Sequence, residues 1–96
     1  MPQEITLRSR MNPAGDVLFR EMEGEGVLLN LKSGIYFGLN VLGARIWDLI
    51  GKHKNLDRVV ETIAGEYEVE RHRCEEDIIR LARDLHRNGL VEIKDG

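Results

Sequence analysis

Gly26-Val-Leu-Leu-Asn-Leu-Lys-Ser-Gly-Ile-Tyr-Phe-Gly-Leu-Asn40 is the stretch on which the fold turns. Val27, Leu29 and Leu31 alternate with Leu28 and Asn30, the period-two pattern of a strand with one buried face. Lys32-Ser33-Gly34 is a short turn, and Gly34 suits the left-handed conformation that closes a three-residue hairpin with a bulge. Ile35-Tyr36-Phe37 reads as the returning strand, rich in residues that fit a pleated surface. Asn40 is a good helix N-cap, and Val41 to Ile50 follow with helical spacing. The stretch is therefore a hairpin that runs into a helix, and the rest of the chain has to cover its apolar faces.

Upstream, Asp16 to Met22 is a candidate first strand, with Val17 and Phe19 on one face and Leu18, Arg20 and Met22 on the other. Glu23-Gly24-Glu25 turns it into the hairpin, giving a three-stranded antiparallel meander over roughly residues 16–38. Residues 1–13 are expected to be loosely held. Ile5 and Leu7 offer a short strand or a contact with the core, but Asn12-Pro13-Ala14-Gly15 breaks whatever precedes it.

Downstream, Leu42, Ile46, Leu49 and Ile50 make the apolar stripe of the first helix, with Trp47 on its flank and Gly51 as its expected stop. Lys52-His53-Lys54 is a basic connector. Asn55 caps a second helix in which Leu56, Val59, Val60, Ile63 and Ala64 share a face, with Gly65 loosening its end and Tyr67 packing back as an anchor. The third helix spans about Arg71 to Asn88, with Cys74, Ile78, Leu81 and Leu85 on one face and Ile79 and Ala82 widening it. Arg71, His72 and Arg73 oppose the positive end of the helix dipole, so a start one or two residues later is expected. Glu76 with Arg80, and Arg80 with Asp84, are i,i+4 pairs worth about 0.3 kcal/mol each. Gly89 ends this helix, Leu90 to Ile93 is a short closing strand, and Lys94-Asp95-Gly96 is a polar tail. The order predicts a single α+β domain over residues 1–96 of winged helix-turn-helix character: a three-stranded antiparallel sheet, three helices and a short closing strand.

Composition narrows the function. The chain has 96 residues, 42% hydrophobic and 32% charged, which fits a globular domain with one small core. A net charge of −3 supplies no basic field for nucleic acid. The single cysteine, Cys74, allows no internal disulfide and suits a reducing compartment. The first ten residues carry no apolar signal segment and no run is long enough to span a bilayer, so the expected location is the cytoplasm, with no membrane partner.

No active site emerges. His72-Arg73-Cys74 is the one close Cys/His pair, short of the three or four ligands a metal site needs, and Cys74 on an apolar stripe reads as a buried small hydrophobe. Glu75-Glu76-Asp77 point in successive directions around a helix and do not converge on a substrate. There is no P-loop, and Gly24-Glu25-Gly26 lacks the context of a dinucleotide fingerprint, so no cofactor is implied. A winged-helix DNA-binding regulator is the alternative reading. Arg71, Arg73, Arg80, Arg83 and Arg87 would face the groove, but Glu75, Glu76, Asp77 and Asp84 would face phosphates, and one strand after the helix leaves no room for a wing hairpin. The remaining feature is an edge strand, Ile35 to Gly38, with neither proline nor charge to guard it. Such an edge is covered by the third helix, recruits a partner strand, or pairs with its own copy to give a dimer.

Two blocks, Val27 to Asn40 continuing through Gly43-Ala-Arg-Ile-Trp-Asp-Leu-Ile50, and Glu76-Asp-Ile-Ile-Arg-Leu-Ala-Arg-Asp-Leu-His-Arg-Asn-Gly-Leu-Val91, make the chain resemble the PqqD-like proteins, the leader-binding domains called RiPP recognition elements. The resemblance covers about residues 16–93. It implies a binding protein and not an enzyme: one that takes the leader of a ribosomally made precursor peptide as an added strand and presents it to a modifying enzyme such as a radical SAM maturase or a peptidase. Carried onto this sequence, the backbone ladder is Ile35, Tyr36, Phe37 and Gly38. The helix wall is drawn from Asp77, Ile78, Leu81, Ala82 and Leu85. Position 81 is Leu where many relatives carry an aromatic residue. Ile46, Trp47 and Leu49 are expected to hold the core.

Overall fold

The computed structural model describes residues 4–94. Strand β1 (Arg10–Pro13) pairs antiparallel with β5 (Val91–Lys94), and β2 (Val17–Met22), β3 (Glu25–Asn30) and β4 (Tyr36–Leu39) form an antiparallel meander in that order. Helices α1 (Val41–His53), α2 (Leu56–Tyr67) and α3 (Arg71–Arg87) follow β4. Helix α1 lies against β3 and β4, α2 against α1, and α3 against α2 and β5. The expected meander, three helices and closing strand are all present; β1 is the addition.

Strand register sorts the meander into two faces, because antiparallel partners lie on the same side. Phe19, Leu28 and Phe37 form one row and Leu18, Leu29 and Tyr36 the next. Gly26, Leu28 and Asn30 point inward and are buried, whereas Leu18 and Tyr36 on the outer face are 56% and 71% exposed. Phe19 bends over β3 toward Trp47 of α1, with ring centroids 6.3 Å apart. This is possible because a Cβ on Gly26 would stand 2.5 Å from the Phe19 ring.

Asn30 is the one buried amide in this apolar layer, and both ends of it are used. Its Oδ1 accepts the N–H groups of Lys32 (2.9 Å) and Ser33 (3.2 Å), shaping the turn before β4. Its Nδ2 donates to the carbonyls of Asn88 (3.0 Å) and Gly89 (3.4 Å), where α3 ends. That end is a Schellman motif: Leu90 N–H bonds Leu85 O, Gly89 N–H bonds His86 O, and Gly89 sits at φ +70°. A Cβ there would approach the Asn30 amide to 2.9 Å, so the site excludes side chains twice over.

Five local expectations are corrected. Residues 4–13 are tied down rather than loosely held. Ile5 and Met11 are 4% and 0% exposed, β1 completes β5, and the carbonyls of Leu7 and Ser9 accept the N–H groups of Asp57 and Leu56 at the start of α2. Leu56 N–H would otherwise be orphaned at the helix N-terminus, whereas Asp57 N–H is shared with the Asn55 Oδ1 cap at 2.9 Å; with β1–β5 pairing, these bonds hold the segment. Residues 1–3, and Asp95 and Gly96 of the tail, lie outside the described residues. Helix α1 does not stop at Gly51; it runs to His53 and ends on Lys54 at φ +65°, whose carbonyl accepts from Met11 N–H. Gly65 lies inside α2, which ends on Glu68 at φ +51°. Helix α3 starts at Arg71 and no later, because Arg71 spends its charge on Asp57 (2.9 Å) and Glu75 (3.0 Å). Arg80 turns to Asp77 at 3.6 Å and not to the expected i,i+4 partners.

Replacing Asn30 by Ala strands two backbone N–H donors and two carbonyls at the end of α3, and is expected to cost about 2 kcal/mol in chemical denaturation. An unchanged midpoint would mean that water replaces the clamp. Burial pushes the Cys74 thiol above its usual pKa, with the charge of Asp77 adding to the effect, and the side chain is 4% exposed. Thiol reagents should therefore label native Cys74 far more slowly than the denatured chain at neutral pH. Equal rates would show that α3 opens readily.

Candidate peptide-binding groove

Strand β4 is an edge of its sheet. Asn30 N–H donates to Ile35 O at 2.9 Å, and the register places Leu28 opposite Phe37 and Gly26 opposite Leu39. Antiparallel pairs alternate between bonded and unbonded, so Phe37 and Leu39 turn their backbone groups to β3, as does the Ile35 carbonyl, while Ile35 N–H donates to Ser33 Oγ at 3.2 Å. Tyr36 and Gly38 are the unbonded pairs, and their N–H and C=O groups point out along the open edge.

Beside that edge lies a groove of about 350 Å³. Phe37, Gly38 and Leu39 form one side, the first turns of α1 form the floor, and Asp77, Arg80 and Leu81 of α3 form the far wall. The N-cap of α1 holds the near end: Asn40 Oδ1 accepts Gly43 N–H at 2.7 Å, and Gly43 passes within 3.2 Å of Leu39 where its Cβ would be. Helix α3 therefore stands across a gap from β4 and does not cover its edge.

The nine residues singled out from sequence divide into three sets. Phe37, Gly38, Asp77 and Leu81 come together in the groove. Ile35 and Tyr36 are exposed outside it, with the Tyr36 ring on the outer sheet face. Ile78, Ala82 and Leu85 are no more than 1% exposed and belong to the core. They are one helical step round from Asp77 and Leu81, a distinction that an apolar stripe alone does not draw. Ile46, Trp47 and Leu49 are buried as expected. Sequence reasoning missed Asn40, Leu42, Gly43 and Arg80, together with the groove side of Ile46. The N-cap signal at Asn40 placed the start of α1 directly after the edge strand and could have found most of them.

Chemically the groove is an apolar trough with one ion pair, Arg80 to Asp77 at 3.6 Å, on its wall. Among the described residues no group of three or more His, Cys, Asp or Glu side chains gathers, and no helix is long and apolar enough to cross a membrane. DNA binding finds no support. Arg71 and Arg87 are paired with acids on or beside α3, as is Arg80, and β5 pairs with β1 instead of opening a wing.

The family model described as "Coenzyme PQQ synthesis protein D (PqqD)" matches residues 25–91. A solved structure, "TbiB1 in Complex with the TbiA(beta) Leader Peptide", is 36% identical with a TM-score of 0.80, covering 84% of this chain and 94% of that one. Another, "Lasso peptide synthetase B1 complexed with the leader peptide", is 29% identical with a TM-score of 0.78, covering 86% of this chain and 98% of that one. No curated protein matches. With the family model spanning β3, β4, all three helices and the first residue of β5, more than half of the chain, the chain belongs to the PqqD family.

Proposed function

We propose that this protein is a non-catalytic adaptor that binds the leader of a ribosomally synthesised precursor peptide as a strand on β4 and presents it to a modifying enzyme. The observation that carries the reading is an unguarded edge strand beside an apolar groove, in a chain 36% identical to a protein solved with a leader peptide. Tyr36 and Gly38 offer the ladder, up to four backbone groups in all. Net hydrogen bonds of about 1 kcal/mol each fall short of useful affinity once association costs are met. Apolar leader side chains against Phe37 and Leu81 must supply the rest.

Two substitutions test the two contributions, with the TbiA(beta) leader as probe in a fluorescence-polarisation titration. Leu81→Arg puts a charge on a half-buried groove wall and is expected to weaken binding at least about tenfold while the thermal melt holds. A collapsed melt would place Leu81 in the core. Gly38→Pro removes only an outward N–H, which an edge strand tolerates, so it should weaken binding and leave the fold intact. Phe37→Pro removes a bond to β3 and should destabilise the sheet. Full leader affinity in Gly38→Pro would rule out strand addition at this edge.

A further inference from the structure

A concavity of about 200 Å³ lies at the far end of α1, walled by Arg10, Met11 and Asn12 of β1, Lys54 at the cap of α1, and Lys94 of β5. Helix α1 has 13 residues, so about 20 Å separates this site from the groove at its first turn. Three exposed cations converge here. Arg10 stands directly opposite Lys94, and cross-strand partners share a face, a placement that is unfavourable for like charges. Lys54 is fixed beside them at φ +65° by the bond from Met11 N–H to its carbonyl at 2.8 Å. A lysine adopts that conformation at a cost, and such strain gathers at functional sites. Among the described residues none of the three forms an ion pair, whereas Lys32, Arg45, Lys52, Arg71, Arg80 and Arg87 all do. The acid nearest in register, Glu92, stands opposite Asn12 instead. The helix dipole favours a cation at the end of α1, but it gives no reason for Arg10 and Lys94, which come from strands.

Charge and size identify the occupant. The concavity is smaller than the roughly 300–1,000 Å³ of sites for whole small molecules, so it suits a side chain of a larger partner. The chain as a whole carries −3, and a local cluster of three cations steers an acidic partner to this one end. Asn12 adds a second requirement. Its Oδ1 accepts no hydrogen bond among the described residues, and with its side chain turned into the concavity it can take an N–H from an occupant. A peptide segment offers both groups, carboxylates on its side chains and N–H on its backbone. We infer that this basic site docks an acidic segment of a partner protein, which on the adaptor reading above is the modifying enzyme. The inference rests on that reading for the partner's identity and deepens it. The two ends of α1 then carry the two partners, and filling one leaves the other open.

The test is an NMR titration of labelled protein with hexaglutamate, with inorganic phosphate and the TbiA(beta) leader in parallel arms. Hexaglutamate is expected to shift the Arg10, Lys54 and Lys94 amides at low salt and to lose affinity as salt rises. Arg73 and Arg83 of α3, which also form no ion pair among the described residues, should stay unshifted. The double substitution Lys54→Gly/Lys94→Gln should weaken hexaglutamate binding about fivefold, as loss of two exposed charge contacts does. Its melt should be at least as high, because glycine suits φ +65° and a like-charge pair is gone, and its leader affinity should be unchanged. Equal shifts at Arg73 and Arg83, or full hexaglutamate affinity in the variant, would overturn the inference. So would phosphate producing the same shifts at the same concentration, since the site would then take any anion. A leader that fails to shift Tyr36 and Gly38 would overturn the adaptor reading, and with it the partner named here, even where hexaglutamate binds.

Discussion

The side chain of Asn30 holds the two halves of the structure together. One end of its amide shapes the turn that launches β4, and the other grips the carbonyls where α3 finishes, 58 and 59 residues further along the chain. Strand β4 and helix α3 are the two sides of the groove, so a single buried amide sets their relative position. Buried polar groups of this kind are costly half-satisfied and rigidifying when fully satisfied. Here Asn30 is 7% exposed with both its donor and its acceptor in use. The price of the arrangement is paid in backbone freedom at Gly89, where no side chain fits. Because the clamp joins early chain to late chain, the groove takes shape only when nearly the whole sequence has folded.

The sheet beside that groove is unfinished in a way proteins usually avoid. Edge strands are commonly guarded by lysine, proline, a bulge or a covering element. Tyr36 to Leu39 carries none of the first two, and α3 stands off across a gap. Leu18 and Tyr36 leave the outer face apolar as well. Self-pairing through the ladder alone would gain only a few weak bonds, because the net worth of each is small. A ligand that adds side chains to the groove gains burial on top of the ladder, and that difference separates a cognate strand from an arbitrary one.

Much of this was legible in the sequence, and the limits were physical. The hairpin, Gly34 at φ +74°, the Asn40 and Asn55 caps and the Gly89 stop are local signals, and each appears where the residues placed it. Gly51 and Gly65 carry the same residue type but stay helical, since a glycine ends a helix only when the chain beyond it has somewhere else to go. The docking of residues 4–13 was illegible because it depends on backbone donors at the start of α2, more than forty residues away by number, and on β5 needing a partner. Within the candidate site, the resemblance grouped Ile78, Ala82 and Leu85 with Leu81, although a fraction of a turn on α3 separates the buried core from the groove. Helix α1 was read only for its buried stripe, and its groove-facing first turn went unnoticed.

The geometry divides recognition between two kinds of contact on the proposed reading. A strand on the β4 edge alternates its side chains, one set into the groove and the other onto the outer face beside Tyr36. The backbone ladder is blind to sequence, and the outer face leaves its side chains in solvent. Selectivity must then fall on every second residue of the paired segment. A ligand can vary freely at the outward positions and lose nothing but solubility, while a polar residue at an inward one would strand a polar group against Phe37 and Leu81. Such a site reads a sparse apolar pattern in a long variable segment. That is enough to separate its own peptide from other chains while leaving most of the sequence unread.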